Sequence, residues 1–258
     1  MPLRALVLYG YGINCENESK YAIEKSGGSA DIMHLNAVLD NPKVLEGYNM
    51  LMIPGGFSFG DDLGSGKVFG NKMKFRLRGP LEEFIAAGKL VLGICNGFQV
   101  MVKMGLLPEP DFRQKVSLTT NDSGHYEDRW VILKANRESP CVFTKGLDFI
   151  LVPVRHGEGK FIPRDGAVLD ELKKSNQVVF QYVDEKGNLA GFPWNPNGSV
   201  ENVAGICDKS GRIFGMMPHP EAFNIVENCP YWVKGAIKEP LGLRLFRNAV
   251  EYAKENGL

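Results

Sequence analysis

The stretch Lys89-Leu90-Val91-Leu92-Gly93-Ile94-Cys95-Asn96-Gly97-Phe98-Gln99 constrains the fold more than any other. Its first half is an apolar run of strand length and its second half continues as a helix. It therefore reads as a buried parallel strand that turns sharply into a helix. At the turn a cysteine stands between two glycines, Gly93-x-Cys95-x-Gly97. Small residues on both sides let the backbone bend tightly and hold the cysteine at the strand's carboxyl end, as in a nucleophile elbow. A thiol there faces the positive end of a helix dipole, which favours its thiolate. The alternative is a half-buried structural cysteine, the commoner fate of a free thiol.

Flanking segments supply the rest of a sheet. Residues 4–9 are apolar and β-favouring, and glycines at 10 and 12 end them. A helix is predicted over 17–26, capped by Asn14 or Asn17 and closed by Gly27-Gly28. Further strands are predicted at 30–35 and 48–54, and a helix at 78–88 leads into the Cys95 strand. This alternation predicts an α/β fold with a doubly wound, mostly parallel sheet and helices on both faces. Active sites of such sheets lie beyond the carboxyl ends of the strands, where the loop after residue 53 and the Cys95 elbow both fall.

That loop reads Pro54-Gly55-Gly56-Phe57-Ser58-Phe59-Gly60-Asp61-Asp62. Two successive glycines can aim backbone N–H groups into a site, as an oxyanion hole requires; the N–H after the nucleophile, here of Asn96, is the usual second donor. An ordinary glycine turn is the alternative. Gly60 to Val68 is not a phosphate loop, because Asp61 stands where the pattern needs its first glycine and Val68 where it needs Ser or Thr. Gln99 follows Cys95 by one helical turn, which returns its amide to the cysteine's side.

Downstream, 108–125 is irregular, with a short strand predicted at 115–119. Strands are also predicted at 130–133, 148–154, 177–183, 203–207 and 213–217. Pro153-Val154-Arg155-His156-Gly157-Glu158-Gly159-Lys160-Phe161 reads as a glycine-spaced loop that is either a ligand loop or a solvated turn. The second decisive stretch is Met216-Met217-Pro218-His219-Pro220-Glu221. Two prolines stiffen the turn around His219 at a strand's end, and Glu221 is placed to orient the ring. Nucleophile, base and orienter are the elements of a triad; a surface histidine in a proline loop is the alternative.

Composition narrows the function classes. The 258 residues carry 30 basic and 30 acidic side chains, so no charged field points to nucleic acid or to a membrane surface. The length and the lack of any linker, repeat or low-complexity segment predict one domain over 1–258. The first apolar run is too short for a signal peptide, and no stretch reaches membrane-helix length. Five widely spaced cysteines (15, 95, 141, 207, 229) include no C-x-x-C pair, so neither a metal site nor a disulfide framework is indicated and a cytoplasmic location is expected.

Taken together, Pro54-Gly55-Gly56-Phe57-Ser58, Gly93-Ile94-Cys95-Asn96-Gly97-Phe98-Gln99 and Pro218-His219-Pro220-Glu221 resemble the class I glutamine amidotransferases in order and spacing. Within that superfamily, Gly55-Gly56-Phe57-Ser58-Phe59-Gly60-Asp61, His156-Gly157-Glu158-Gly159, Asn195-Pro196-Asn197-Gly198-Ser199 and Gly12-Ile13-Asn14-Cys15 resemble the glutaminase subunits of phosphoribosylformylglycinamidine synthases. The resemblance covers essentially the whole chain. It implies a flavodoxin-like sheet, with Cys95 as nucleophile, His219 as base and Glu221 as its partner. It also implies an oxyanion hole of Gly56 and Asn96, and a glutamine site near Gln99, His156, Gly157 and Glu158. Cys95 would attack the glutamine side-chain amide, release ammonia and leave a thioester for water. The ammonia would pass to a synthetase subunit, where ATP and magnesium drive amidation of formylglycinamide ribonucleotide, and a small bridging subunit would complete the complex. No cofactor is expected on this chain. Tyr9-Gly10-Tyr11-Gly12-Ile13 lacks the family's usual proline-glycine before Asn-Cys, and 108–130 and 222–240 are longer than a minimal member needs, which suggests partner docking or a packed lid for the second.

Overall fold

A computed structural model describes residues 2–235 and 237–258. In chain order its strands and helices are β1 (Arg4–Tyr9), α1 (Glu16–Lys25), β2 (Ser29–His34), α2 (Leu35–Asp40), β3 (Met50–Ile53), α3 (Lys67–Arg76), α4 (Arg78–Ala86), β4 (Leu90–Ile94), α5 (Asn96–Met104), β5 (Val116–Thr120) and β6 (Glu127–Ala135). They continue as β7 (Phe149–His156), β8 (Glu158–Pro163), α6 (Gly166–Lys174), β9 (Val178–Val183), β10 (Val203–Cys207), β11 (Ile213–Met216) and α7 (Leu243–Glu255).

Nine strands form one sheet in the order β2-β1-β3-β4-β11-β10-β9-β6-β7. The first five run parallel to one another, so the greater part of the sheet is parallel as expected. β3 and β4 are buried at every residue, which is why their sequences are unbroken apolar runs rather than alternating ones. The last four strands extend the sheet antiparallel. A tight turn explains the switch at β10–β11. The Asp208 carboxylate accepts from the N–H groups of Ser210 and Ile213, and Gly211 has φ +73° with no room for a Cβ, so the chain reverses at once.

Most sequence-predicted elements lie within one to three residues of the observed ones, and two readings need correction. Cys15, not Asn14 or Asn17, is the N-cap of α1, and it makes no side-chain capping bond. The predicted loop at 153–161 is instead the end of β7 and the start of β8, separated by Gly157 alone. Pro153 is tolerated there because β7 is the edge strand of the sheet. β8 then leaves the main sheet to pair antiparallel with β5. The segment 222–240 contains only short 3-10 turns among its described residues.

The glycines around Cys95 are required by packing. A Cβ on Gly97 would lie 1.8 Å from the Ile53 carbonyl oxygen, so α5 presses directly on the end of β3. A Cβ on Gly93 would lie 2.3 Å from Met101 Sδ. Gly97→Ala should therefore cost about 3 kcal/mol or more, since backbone must move to admit the methyl group. Gly166→Ala, at the exposed start of α6 with nothing within 4 Å, should instead stabilise by about 0.5–1 kcal/mol. Urea denaturation of the two variants measures both signs.

Candidate active site

Cys95 joins β4 to α5 with φ 51° and ψ −107°, a left-handed conformation that costs a non-glycine residue about 1–3 kcal/mol. Its N–H donates to the Met216 carbonyl at 2.8 Å, tying the elbow to the end of β11. Its Sγ lies 3.6 Å from the Arg155 carbonyl oxygen at the end of β7. The thiol is nearly buried.

β11 leads directly into Met217-Pro218-His219. The His219 N–H donates to the Pro153 carbonyl at 2.8 Å, which fixes the turn against β7. The ring Nδ1 and Glu221 Oε1 are 2.6 Å apart, and both side chains are buried. Nε2 of His219 and Oε2 of Glu221 have no hydrogen-bond partner among the described residues. Burial alone would lower the imidazole pKa. The Glu221 carboxylate and then Cys95 and Cys15 oppose it, and the net effect holds His219 well above its ordinary value.

Gly55 and Gly56 lie between this histidine and the β1–α1 loop. A Cβ on Gly55 would meet His219 Cε1 at 2.7 Å and Cys15 Sγ at 3.3 Å. Gly56 has φ +149°, and a Cβ there would meet the Gly12 carbonyl oxygen at 2.6 Å. Phe57 N–H donates to Gly12 O at 2.7 Å and Asn14 N–H to Gly55 O at 3.3 Å. These flanking bonds make Ile13–Gly56 the non-bonded pair of an antiparallel bridge, so the Gly56 N–H stays outside the ladder. Asn96 begins α5, where first-turn N–H groups have no helical acceptor. Its side chain accepts from the Ser58 N–H at 3.3 Å and donates to Gln99 Oε1 at 2.9 Å, clamping the glycine loop to the elbow.

The structure thus brings Cys95, His219, Glu221, Gly56 and Asn96 together. Gln99 is buried; its Nε2 donates to the Glu158 carbonyl while its Oε1 accepts from Asn96, so it ties α5 to β8 and keeps one N–H hydrogen free. His156 is buried with its ring stacked on Gly159, where a Cβ would lie 2.4 Å from it. Burial and then the charge of His219 lower its pKa to about 3, so it is neutral, and its Nε2 has no partner among the described residues. Gly157 and Glu158 are half-buried at the β7–β8 break. Burial and then the Glu158 charge raise the Asp61 pKa.

Three residues at the site carried no role in the sequence reading. Asn121 accepts from the Gly159 N–H and donates to the His156 carbonyl, pinning the β7–β8 break. Cys15 sits against the His219 ring edge. Met216 holds the elbow by its carbonyl. Asn121 opens a turn-rich Asn-Asp-Ser-Gly run and Cys15 closes the Gly12-Ile13-Asn14-Cys15 motif, and these are the sequence signals for the two.

Residues 2–253 match the family model described as the CobB/CobQ-like glutamine amidotransferase domain. The chain belongs to the glutamine amidotransferases. A phosphoribosylformylglycinamidine synthase subunit PurQ from Methanococcus maripaludis is 48% identical over 96% of this chain and 97% of its own. One from Dehalococcoides mccartyi is 42% identical over 98% of both. A chain of the solved PurLQS structure from Thermotoga maritima is 32% identical, covers 98% of this chain and 99% of its own, and superposes with a TM-score of 0.71. Within the amidotransferases, the chain belongs to the PurQ family of phosphoribosylformylglycinamidine synthase subunits.

The two buried histidines tilt stability in opposite directions. Between about pH 6.5 and 3 the unfolded chain takes up a proton at His156 that the folded chain refuses, so stability falls as pH drops through that window. The contribution of His219 is full below pH 6.5 and is lost as pH rises through its elevated folded pKa. Denaturation series across pH should show His156→Gln flattening the acid limb and His219→Gln flattening the neutral-to-alkaline limb.

Proposed function

We propose that this chain is the glutaminase subunit of a phosphoribosylformylglycinamidine synthase, acting as one domain over 1–258 on a flavodoxin-like, doubly wound sheet. The strand order of the parallel half and the position of the elbow beyond its carboxyl ends support the fold reading. The observation that carries the chemistry is the buried His219–Glu221 pair, whose bonded Nδ1 leaves Nε2 as the nitrogen available to Cys95.

The proton of Cys95 passes to His219 Nε2, giving the imidazolium that the raised pKa of His219 favours, and Cys95 Sγ then attacks the side-chain carbonyl carbon of glutamine. Charge develops on the carbonyl oxygen, and the N–H groups of Gly56 and Asn96 stabilise it. The tetrahedral intermediate collapses when His219 returns the proton to the leaving nitrogen, which departs as ammonia. Water, relieved of a proton by His219, then splits the glutamyl thioester to glutamate. Glu221 holds the ring tautomer and stabilises the imidazolium throughout. Gln99, His156, Gly157 and Glu158 line the glutamine side of the site.

The ammonia passes to a synthetase subunit, a reading supported by the PurLQS neighbour. ATP and magnesium serve that subunit, a small bridging subunit completes the assembly, and this chain needs no cofactor of its own. No helix among the described residues is long and apolar enough to cross a membrane, and a purine-building enzyme of this kind works in the cytoplasm.

Ammonia release from glutamine, with and without a synthetase subunit, ATP and formylglycinamide ribonucleotide, tests the reading. Release should rise strongly with the partner and vanish in Cys95→Ala, while synthesis from added ammonia persists. Hydrolysis indifferent to the partner would defeat the purine assignment. Gly56→Ala should lower kcat by about a hundredfold or more with KM little changed, because its Cβ displaces one oxyanion donor.

A further inference from the structure

Cys15 is the one thiol besides Cys95 that reaches the catalytic groups, and the mechanism above leaves it idle. It is half-buried at the start of α1, fixed by its N–H donating to the Gly55 carbonyl at 3.2 Å. One donor atom each from Cys15, His219 and Glu221 lies within 4.8 Å of the others. Glu221 also has its second oxygen, Oε2, buried and without a partner among the described residues. A buried carboxylate oxygen left unsatisfied beside a thiol and an imidazole is a ready set of ligands rather than packed filler.

We propose that Cys15, His219 and Glu221 bind a thiophilic divalent cation, of which Zn2+ is the type, and that its binding inhibits the enzyme. The donor set of one sulfur, one imidazole nitrogen and one carboxylate suits zinc. Tetrahedral zinc with ordinary bond lengths holds its donors about 3.3–3.8 Å apart, so small side-chain rotations bring these atoms onto one ion. The ion takes the thiolate of Cys15, Nδ1 of His219 and a Glu221 oxygen, with water in the fourth position. The thiol proton and the proton between Nδ1 and Oε1 leave to solvent. Nδ1 bound to metal keeps the remaining ring proton on Nε2, so the imidazole can no longer accept the proton of Cys95. The site itself stands on geometry; the inhibition rests on the catalytic reading given above.

Co2+ titration followed by the sulfur-to-cobalt charge-transfer band separates the two. Full-length Cys95→Ala should give the band, and Cys15→Ala should weaken cobalt binding by about a hundredfold or more, beyond what loss of an outer-shell partner does. Cys15→Ser, nearly the same size, should also lose the sulfur band and so controls for misfolding. Micromolar Zn2+ should inhibit glutamine hydrolysis by the wild-type complex and spare the Cys15→Ser complex. A band that disappears in Cys95→Ala and persists in Cys15→Ser would put the metal on the nucleophile and overturn the proposal, as would no band in any form. Wild-type protein that gives the band but hydrolyses no glutamine would defeat the catalytic reading and leave the metal site standing.

Discussion

Everything around the site depends on how closely α5 approaches the ends of β3 and β4. The Ile53 carbonyl oxygen occupies the place where any side chain at position 97 would begin. That contact lets the chain turn from strand to helix within one residue, and the residue at the turn is Cys95 at φ 51°. The left-handed backbone costs about 1–3 kcal/mol, offset by the surrounding packing and by the N–H bond to Met216. Because Met216 ends β11, the same bond sets where the chain delivers Pro218-His219-Pro220. Cys95 and His219 are thus registered through adjacent parallel strands rather than through flexible loops.

Charge is arranged by the same economy of burial. Two histidines lie in the same low-dielectric region, and one carboxylate decides between them. His219 has Glu221 against its Nδ1 and stays protonated well above the ordinary range; His156 has only the Asn121 amide and is held neutral. The charge of His219 itself further lowers the pKa of His156. Burial and then the charge of Glu158 raise the pKa of Asp61, whose Oδ1 accepts from the Asn96 amide at 3.4 Å.

Much of this was legible in the sequence, for physical reasons that differ by element. Parallel strands buried on both faces must be continuous apolar runs, so β1, β3 and β4 were readable. The Gly-x-Cys-x-Gly spacing exists because two side chains would collide, and the two prolines around His219 are equally local. The β7–β8 break reads as a loop in the sequence because Gly157 and Gly159 resemble turn residues, whereas Gly159 is there to admit the His156 ring. The cap of α1 was missed because the β1–α1 loop is held by backbone pairing with Gly55 to Phe59, not by an asparagine side chain. Cys15 beside His219 joins positions more than two hundred residues apart, and no local pattern encodes that contact.

In the proposed mechanism the strained elbow makes Cys95, and no other thiol, the nucleophile toward glutamine. Acid-quenched mixing of the protein with glutamine, followed by peptide mass spectrometry, tests it directly. A glutamyl adduct on the peptide containing Cys95, absent when His219 is replaced by Gln, is the predicted result. An adduct on Cys15, or on Cys95 at undiminished rate without His219, would contradict the account.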